Sequence, residues 1–410
     1  MRTVLEHRAA VLALGAALEP VRVPTTAGRG LVLAEAVTSR LDLPGFDNSA
    51  MDGYAVRVAD CVGASPDQPI HLPVTMDIAA GDTRRLRLEP GAVARIMTGA
   101  PVPEGAEAIV PVEDTDGGAE TVAIRAEAQA GRHIRGAGED VVAGAPIVPA
   151  GTVLSPGVIA LLAAANVAEV AVHRRPRVTV FSTGDELVDL RGEPGFGQII
   201  DSNQVMLGEL VRAAGCEVAH VGRLVDEPAP VRAAFADPPG DPDLVLTSGG
   251  VSMGAHDTVK EVLTETGAVS FVKVAMRPGM PQGSGTIGGS RAVPVVTLPG
   301  NPVSSFVSFH VFVLPLLQRL AGLDVDPDDL TARCVEAVAA DDWHCAPGKV
   351  EFTRVTLAGG RAAPARGQGS HMVGALAGAN ALAVVPEDVD HVRAGDVVHC
   401  LPLLGTEVTP

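Results

Sequence analysis

Three short stretches of this 410-residue chain carry residue types suited to holding a phosphate or another oxyanion: Ser182-Thr183-Gly184-Asp185-Glu186, Ser248-Gly249-Gly250-Val251-Ser252 and Pro299-Gly300-Asn301-Pro302. Their small side chains let backbone N–H groups approach an anion closely, helped where a helix N-terminus follows. Any one of them could be a plain strand-to-helix turn; three behind strands of one sheet point to a phosphorylated ligand. Carboxylates accompany them: Asp185 and Glu186 in the first, Asp257 after the second, and Asp201 and Asp226 after intervening elements. Hard oxygen ligands beside phosphates point to Mg²⁺, held by one or two carboxylates and by the substrate itself. Asp201, directly before Ser202-Asn203, reads instead as a helix N-cap. Cationic groups come from "VKVAMRPGM", which sets Lys273 and Arg277 at and beyond a strand end, and from Arg354 in "EFTRV", where a guanidinium joins the hydroxyl of Ser370 in "QGSHM" as an oxyanion contact. The chain has only three lysines, Lys260, Lys273 and Lys349, which gives Lys273 more weight. One more polar concentration, "FDNSAMDGYAV" over residues 46–56, gathers Asp47, Asn48, Asp52 and the single tyrosine, Tyr54.

The elements that must position these residues follow from the texture of the chain. Val4, Val11, Leu14 and Leu18 fall near helical spacing and predict an amphipathic first helix. Residues 46–141 are short, β-like and cut by Gly and Pro, which predicts a β-rich domain. Residues 142–174 return to small apolar residues, with a helix in "SPGVIALLAAANV"; packed beside residues 1–45 they would form one discontinuous domain, into which the β-rich part is inserted. Over residues 175–323 strands such as "RVTVF", "DLVLT" and "PVVTL" alternate with helices, the pattern of a parallel sheet with crossover helices. In such sheets ligands bind beyond the carboxyl ends of the strands. After the linker-like "GLDVDPDD", residues 328–410 read as short strands with Gly turns, hence a small β-barrel.

A hydrophobic content of 47% against 20% charged residues excludes a disordered chain. The net charge of −18 argues against nucleic acid or an anionic membrane as a partner, so an anionic ligand needs a local cationic pocket. Five scattered cysteines without a C-x-x-C pair fit reduced thiols and a cytoplasmic setting. The expectation is a chain without a signal peptide and without an apolar run of the roughly 20 residues that cross a bilayer.

The motifs "PGFDNSAMDGYAV", "IMTGAPVPEGAEAIV", "GED", "FSTGDEL", "TSGGVSMG", "LPGNPVS" and "QGSHM" occur in an order and spacing that resemble the molybdopterin molybdotransferases, the MoeA proteins, also found as the E domain of gephyrin. The resemblance spans essentially the whole chain. It implies a MogA-like α/β domain beside the inserted, discontinuous and barrel domains, and a homodimer whose composite active site joins the α/β domain of one subunit to the β-rich part of the other. It implies insertion of molybdate into adenylylated molybdopterin with Mg²⁺ and release of AMP, and contacts with molybdopterin adenylyltransferase and molybdoenzyme targets. Glu186, Asp52, Asp257 and Asp226 would then be catalytic, with Glu186, Asp185 and Asp257 at the metal. Thr98, Asp140, Asn48 and Tyr54 would share the composite surface with Asp52, and Ser304 would join Arg277, Arg354 and Ser370 around molybdate. Family members commonly read "KPGKP" where this chain has Arg277-Pro278-Gly279-Met280-Pro281, so Met280 removes a charge. That departure keeps two alternatives in view: a non-catalytic molybdopterin-binding scaffold or carrier, and an adenylyltransferase acting one step earlier. The first motif and the last β domain, absent from the simpler adenylyltransferases, speak against the second.

Overall fold

The computed structural model describes residues 1–251, 258–265, 268–288 and 291–406. They form two compact units, one of Arg22–Arg29 and Glu35–Ala171, the other of Met1–Val21, Gly30–Ala34 and Val172–Pro410.

The first unit is built on a five-stranded sheet in the order Ala108–Pro111, Gly53–Val56, Val93–Ile96, Ile70–Ile78, Thr121–Ile124. Its strands are short because Gly and Pro interrupt them, and two apolar clusters form its core. One gathers Tyr54, Val56, Val93, Val110 and Ile124; the other Ala55, Ile78, Ala94, Ile96 and Ile109. Alternating side chains of Gly53–Val56 thus serve opposite clusters. The predicted helix runs over Pro156–Ala164, started by Ser155, whose hydroxyl accepts the Val158 N–H at 3.3 Å.

The second unit contains the predicted parallel sheet. Four strands, Glu217–Leu224, Arg177–Thr183, Leu244–Ser248 and Val293–Leu298, lie parallel in that order. Two more extend the sheet antiparallel: Pro281–Ile287 and, at the edge, Val269–Lys273. The sequence reading did not contain the strand Pro281–Ile287, because "PQGSGTI" looks like a loop. Its glycines are demanded by crowding: a Cβ on Gly283 would lie 2.1 Å from Thr297 Oγ1 on the neighbouring strand.

The first helix is Val4–Leu12, closed by a reciprocal cap in which Glu6 N–H donates to Thr3 Oγ1 and Thr3 N–H to Glu6 Oε2. It ends before Leu14 and Leu18, which pack against the same core from the following segment. Residues Pro302–Leu320 form a helix long and apolar enough to cross a membrane by length and composition, in contrast to the expectation that none would be. Its most apolar window is 83% buried inside the protein, so it reads as the central core helix. A π turn at Phe309–Val313 interrupts it, just before Pro315, which has no N–H to donate.

The C-terminal strands close into the predicted barrel. Val350–Ala358, Arg361–Pro364, Val335–Ala339, Val397–Pro402 and Ala381–Val385 follow one another, and the last pairs back onto the first. Closure leaves no free edge among these five. Met276–Arg277 adds to the barrel by pairing with the start of Val350–Ala358.

Candidate functional site

The order of the four parallel strands reverses between Arg177–Thr183 and Leu244–Ser248, and a cavity of about 580 Å³ opens beyond their carboxyl ends. The three predicted loops line it, through Thr183, Gly184, Glu186, Gly249, Gly250, Val251, Pro299, Gly300, Asn301 and Pro302. Asp226, which follows the strand Glu217–Leu224, joins them, as do Ile199 and Pro281. Glycine is required where the loops touch: at Gly249, φ is +91°, and a Cβ would meet Thr183 Oγ1 at 2.6 Å. Asn203 holds two loops together, its Nδ2 donating to Ser248 Oγ at 2.6 Å and to the Gly300 carbonyl at 2.7 Å. Sequence reasoning missed Asn203; its one signal is its position two residues after the cap residue Asp201.

The hydroxyls of two predicted ligand contacts are committed to the scaffold. Ser182 is fully buried and donates to Asp201, while Ser248 is buried under Asn203. Neither lines the cavity, since their hydroxyls are held by Asp201 and Asn203. Asp201 is the expected cap, its other carboxylate oxygen accepting the Gln204 N–H at 3.0 Å. Asp185 is exposed and stands apart from the cavity lining, so of the adjacent pair Glu186 alone faces the cavity. Ser252 and Asp257 lie outside the described residues. Among the described residues the carboxylates of Glu186 and Asp226 take no hydrogen bond or ion pair, no group of three His, Cys, Asp or Glu could hold a metal by itself, and no Lys or Arg lines the cavity. Lys273 ends the edge strand, opposite the cavity residue Pro281.

A hydrogen bond joins the cavity to the barrel, the Asn301 Nδ2 donating to Ser370 Oγ at 3.2 Å. The loop bearing Ser370 is also held by Arg354, whose Nη2 donates to the carbonyls of Gly367 (2.7 Å) and Gly369 (3.3 Å). Arg354 is only 1% exposed, and its Nε and Nη1 have no partner. Burial lowers the pKa of this guanidinium, and its two unpartnered donor nitrogens leave a strong unmet demand for an acceptor. Ser304 is buried in the helix that starts at Pro302 and does not reach the cavity lining. Arg277 is exposed and stands 3.6 Å from Glu351.

Within the first unit, Asp52 Oδ1 accepts both the N–H (2.7 Å) and the hydroxyl (2.8 Å) of Thr98. The backbone bond first, and the hydroxyl second, hold its carboxyl below the usual range. Asp52 and Thr98 are thus brought together on an exposed edge. Tyr54 is not presented to a ligand: it is 1% exposed, belongs to the core, and donates to the Gly118 carbonyl at 2.9 Å. Asn48 is buried and donates to the Phe46 carbonyl, and Asp47 accepts the Ala137 N–H at 2.7 Å.

A cavity at the switch point of a parallel sheet, walled by glycine loops and joined to a closed barrel, defines a multidomain protein with an α/β ligand-binding domain. Residues 2–166 match the MoeA N-terminal region (domain I and II), residues 179–319 a probable molybdopterin binding domain, and residues 336–403 the MoeA C-terminal region (domain IV). Molybdopterin molybdenumtransferase 2 of Mycobacterium tuberculosis is 46% identical over 403 residues, 96% of this chain and 98% of that protein. The molybdopterin molybdenumtransferase of a Nostoc species is 38% identical over 92% of this chain and 87% of its own. The crystal structure of the molybdopterin biosynthesis moeA protein of Pyrococcus horikoshii superposes with a TM-score of 0.83 at 28% identity, covering 98% of this chain and 99% of that one. The chain belongs to the MoeA family, whose named relatives are transferases.

Proposed function

We propose that this chain is a molybdopterin molybdenumtransferase of molybdenum cofactor biosynthesis, which inserts molybdate into the dithiolene of adenylylated molybdopterin while the phosphoanhydride is hydrolysed and AMP leaves. The observation that carries the reading is the cavity itself. Glycine-loop N–H groups and two unpaired carboxylates, Glu186 and Asp226, share one wall, and the Asn301–Ser370 contact leads from it to a buried guanidinium with two unused donors.

The residues fit that chemistry in distinct places. The loops around Gly184, Gly249–Gly250 and Gly300 would cradle the phosphates through backbone N–H groups. The donor set also fits Mg²⁺, since Glu186 and Asp226 are two hard carboxylates beside a phosphate site, and Mg²⁺ takes one or two such ligands with water and phosphate oxygens completing its shell. When bound, the ion would offset the charge of the anhydride. Glu186 would also orient the attacking water and accept its proton. Arg354, Ser370 and, after release from Glu351, Arg277 would receive the molybdate dianion through charge-assisted hydrogen bonds. Asp52, kept ionised by Thr98, would complete the site of a second subunit in a homodimer. Mixing Asp52→Asn with Glu186→Gln subunits should then restore activity in verified heterodimers; no recovery would place both residues in one subunit's site.

The deciding experiment incubates the protein with adenylylated molybdopterin, Mg²⁺ and molybdate and follows AMP release together with metal insertion. Both should occur with turnover. A carrier is the second reading, favoured by the absence of Lys and Arg from the described cavity lining. It would bind the adenylate and release no AMP.

A further inference from the structure

The cavity offers much to phosphates and little to a ring. Among its described lining residues none is aromatic and none is cationic, so a planar heterocycle bound there has no face to stack on. The chain is poor in aromatics altogether, with one Trp, one Tyr and nine Phe. Most of these are packed in cores, as Phe181, Phe235, Phe309, Phe312 and Phe352 are. Phe196 is the opposite extreme, exposed to 110% of its reference area.

Its position is built, not incidental. The segment 189–198 leaves the cavity wall after Glu186 and returns to it at Ile199, both cavity residues. The feet are tied by the pairing of Leu187–Val188 with Ile199–Ile200 and by the Ile199 N–H donating to the Glu186 carbonyl at 2.8 Å. At the far end, residues 195–198 form a turn: the Gln198 N–H donates to the Gly195 carbonyl at 3.1 Å, and the Gly195 N–H to Gln198 Oε1 at 3.0 Å. Gly197, with φ of +83°, occupies the third turn position, where a type II turn requires a left-handed residue. That geometry puts Phe196 on the corner, pointing away from the turn's own backbone. Ile199 is three steps further along the chain, so the Phe196 Cα lies within about 11 Å of the cavity residue Ile199. Leu190, at 66%, and Ile199, at 56%, are also exposed apolar residues of the same segment and its foot.

We propose that Phe196 is the ring-stacking residue of the site: the 189–198 loop lays it against the planar heterocycle of the bound substrate, covering the cavity mouth. This rests on the molybdopterin reading above, and it assigns to a loop residue the contact that the cavity wall lacks. Aromatic stacking suits a pterin or an adenine face equally, because both are flat and electron-delocalised.

The test uses the full-length protein and three probes titrated by calorimetry: neopterin for the pterin ring, AMP for the adenine, and ribose 5-phosphate, which has a phosphate and no ring. Phe196→Ala should weaken the ring-bearing probe that stacks by roughly 5- to 30-fold and leave ribose 5-phosphate unchanged. Phe196 packs against nothing, so the variant should melt as the wild type does. Phe196→Trp should retain affinity, and its added indole fluorescence, measured above the wild-type background of Trp343, should be quenched by the same probe. Equal binding of both ring probes by wild type and Phe196→Ala overturns the proposal while leaving the molybdopterin reading intact. Binding of neither ring probe by the wild type overturns both. Unchanged ring binding with an altered molecular mass in light scattering also overturns it, and assigns Phe196 to a subunit contact.

Discussion

The two edges of the parallel sheet treat charge in opposite ways. At the edge where the strands begin, Asp243 accepts from Arg174 through both oxygens at 2.7 Å, from the Arg177 N–H at 2.9 Å and from Arg291 at 3.2 Å. Asp241 pairs with Arg177 and Arg291 beside it. These charges answer one another, and the Asp243 side chain is only 2% exposed. At the edge where the same strands end, Glu186 and Asp226 face a cavity of about 580 Å³ with no partner among the described residues. A closed network fixes where the strands start; unspent carboxylates at the other end leave free energy to be realised only with a ligand. The difference separates the residues that make the fold from those that use it.

The largest effect should come from breaking the closed edge. Asp243→Ala leaves Arg174 and Arg291 without their shared acceptor and the Arg177 N–H without its bond. Removing one partner of a buried ion pair costs about 3 to 5 kcal/mol; the arginines here are more than a third exposed, so about 3 kcal/mol is expected, read as a lower urea midpoint at constant slope. AMP affinity at the opposite edge, measured where the variant is folded, should not change. A midpoint shift worth less than about 0.5 kcal/mol would mean that this network does not carry stability.

Glu186→Gln is the complementary break. Its carboxylate stabilises nothing within the protein, so the urea midpoint should stay within about 0.5 kcal/mol of wild type. Turnover, followed as AMP release, should fall on the order of 100-fold, through lost metal positioning and proton acceptance. Undiminished release would remove Glu186 from the mechanism and leave Asp226 as the sole charged candidate on the described cavity wall.

How far the sequence could be read follows the same division. Loops behind parallel strands were legible because strand and helix periodicities differ and because runs of Gly and Ser stand out against the apolar strands that precede them. What those loops spend on themselves was not legible: Ser182 and Ser248 have the chemistry of ligand contacts, yet their hydroxyls face Asp201 and Asn203, partners that only the fold brings near. Tyr54 failed for a related reason. A lone tyrosine among aspartates reads as functional, but strand alternation turns it into the core, where its hydroxyl meets Gly118 from 64 residues further along the chain. The strand Pro281–Ile287 was hidden because the glycines that its neighbours require are the residues that ordinarily mark loops. Arg354 was legible as a cation, whereas its complete burial with two idle donors was not.

The smallest predicted effect sharpens the comparison at the cavity, whose described lining carries only negative charge although the proposed substrate is an oxyanion. Met280 is half-buried and immediately precedes the cavity residue Pro281; its carbonyl accepts the Val274 N–H at 2.8 Å, so the backbone there is held whatever the side chain. A thioether offers molybdate no attraction. A lysine would add one positive charge at a partly desolvated rim, worth on the order of 1 kcal/mol at low salt and less as ions screen it. Met280→Lys should therefore lower the molybdate concentration for half-maximal insertion by roughly fivefold at low ionic strength, and the gain should shrink as salt is added. AMP release at saturating molybdate should change little, since Glu186 and Asp226 are untouched. An unchanged molybdate dependence at every ionic strength would place residue 280 off the oxyanion's path, and the charge on this edge would then have to be balanced by Arg277 and Arg354 alone.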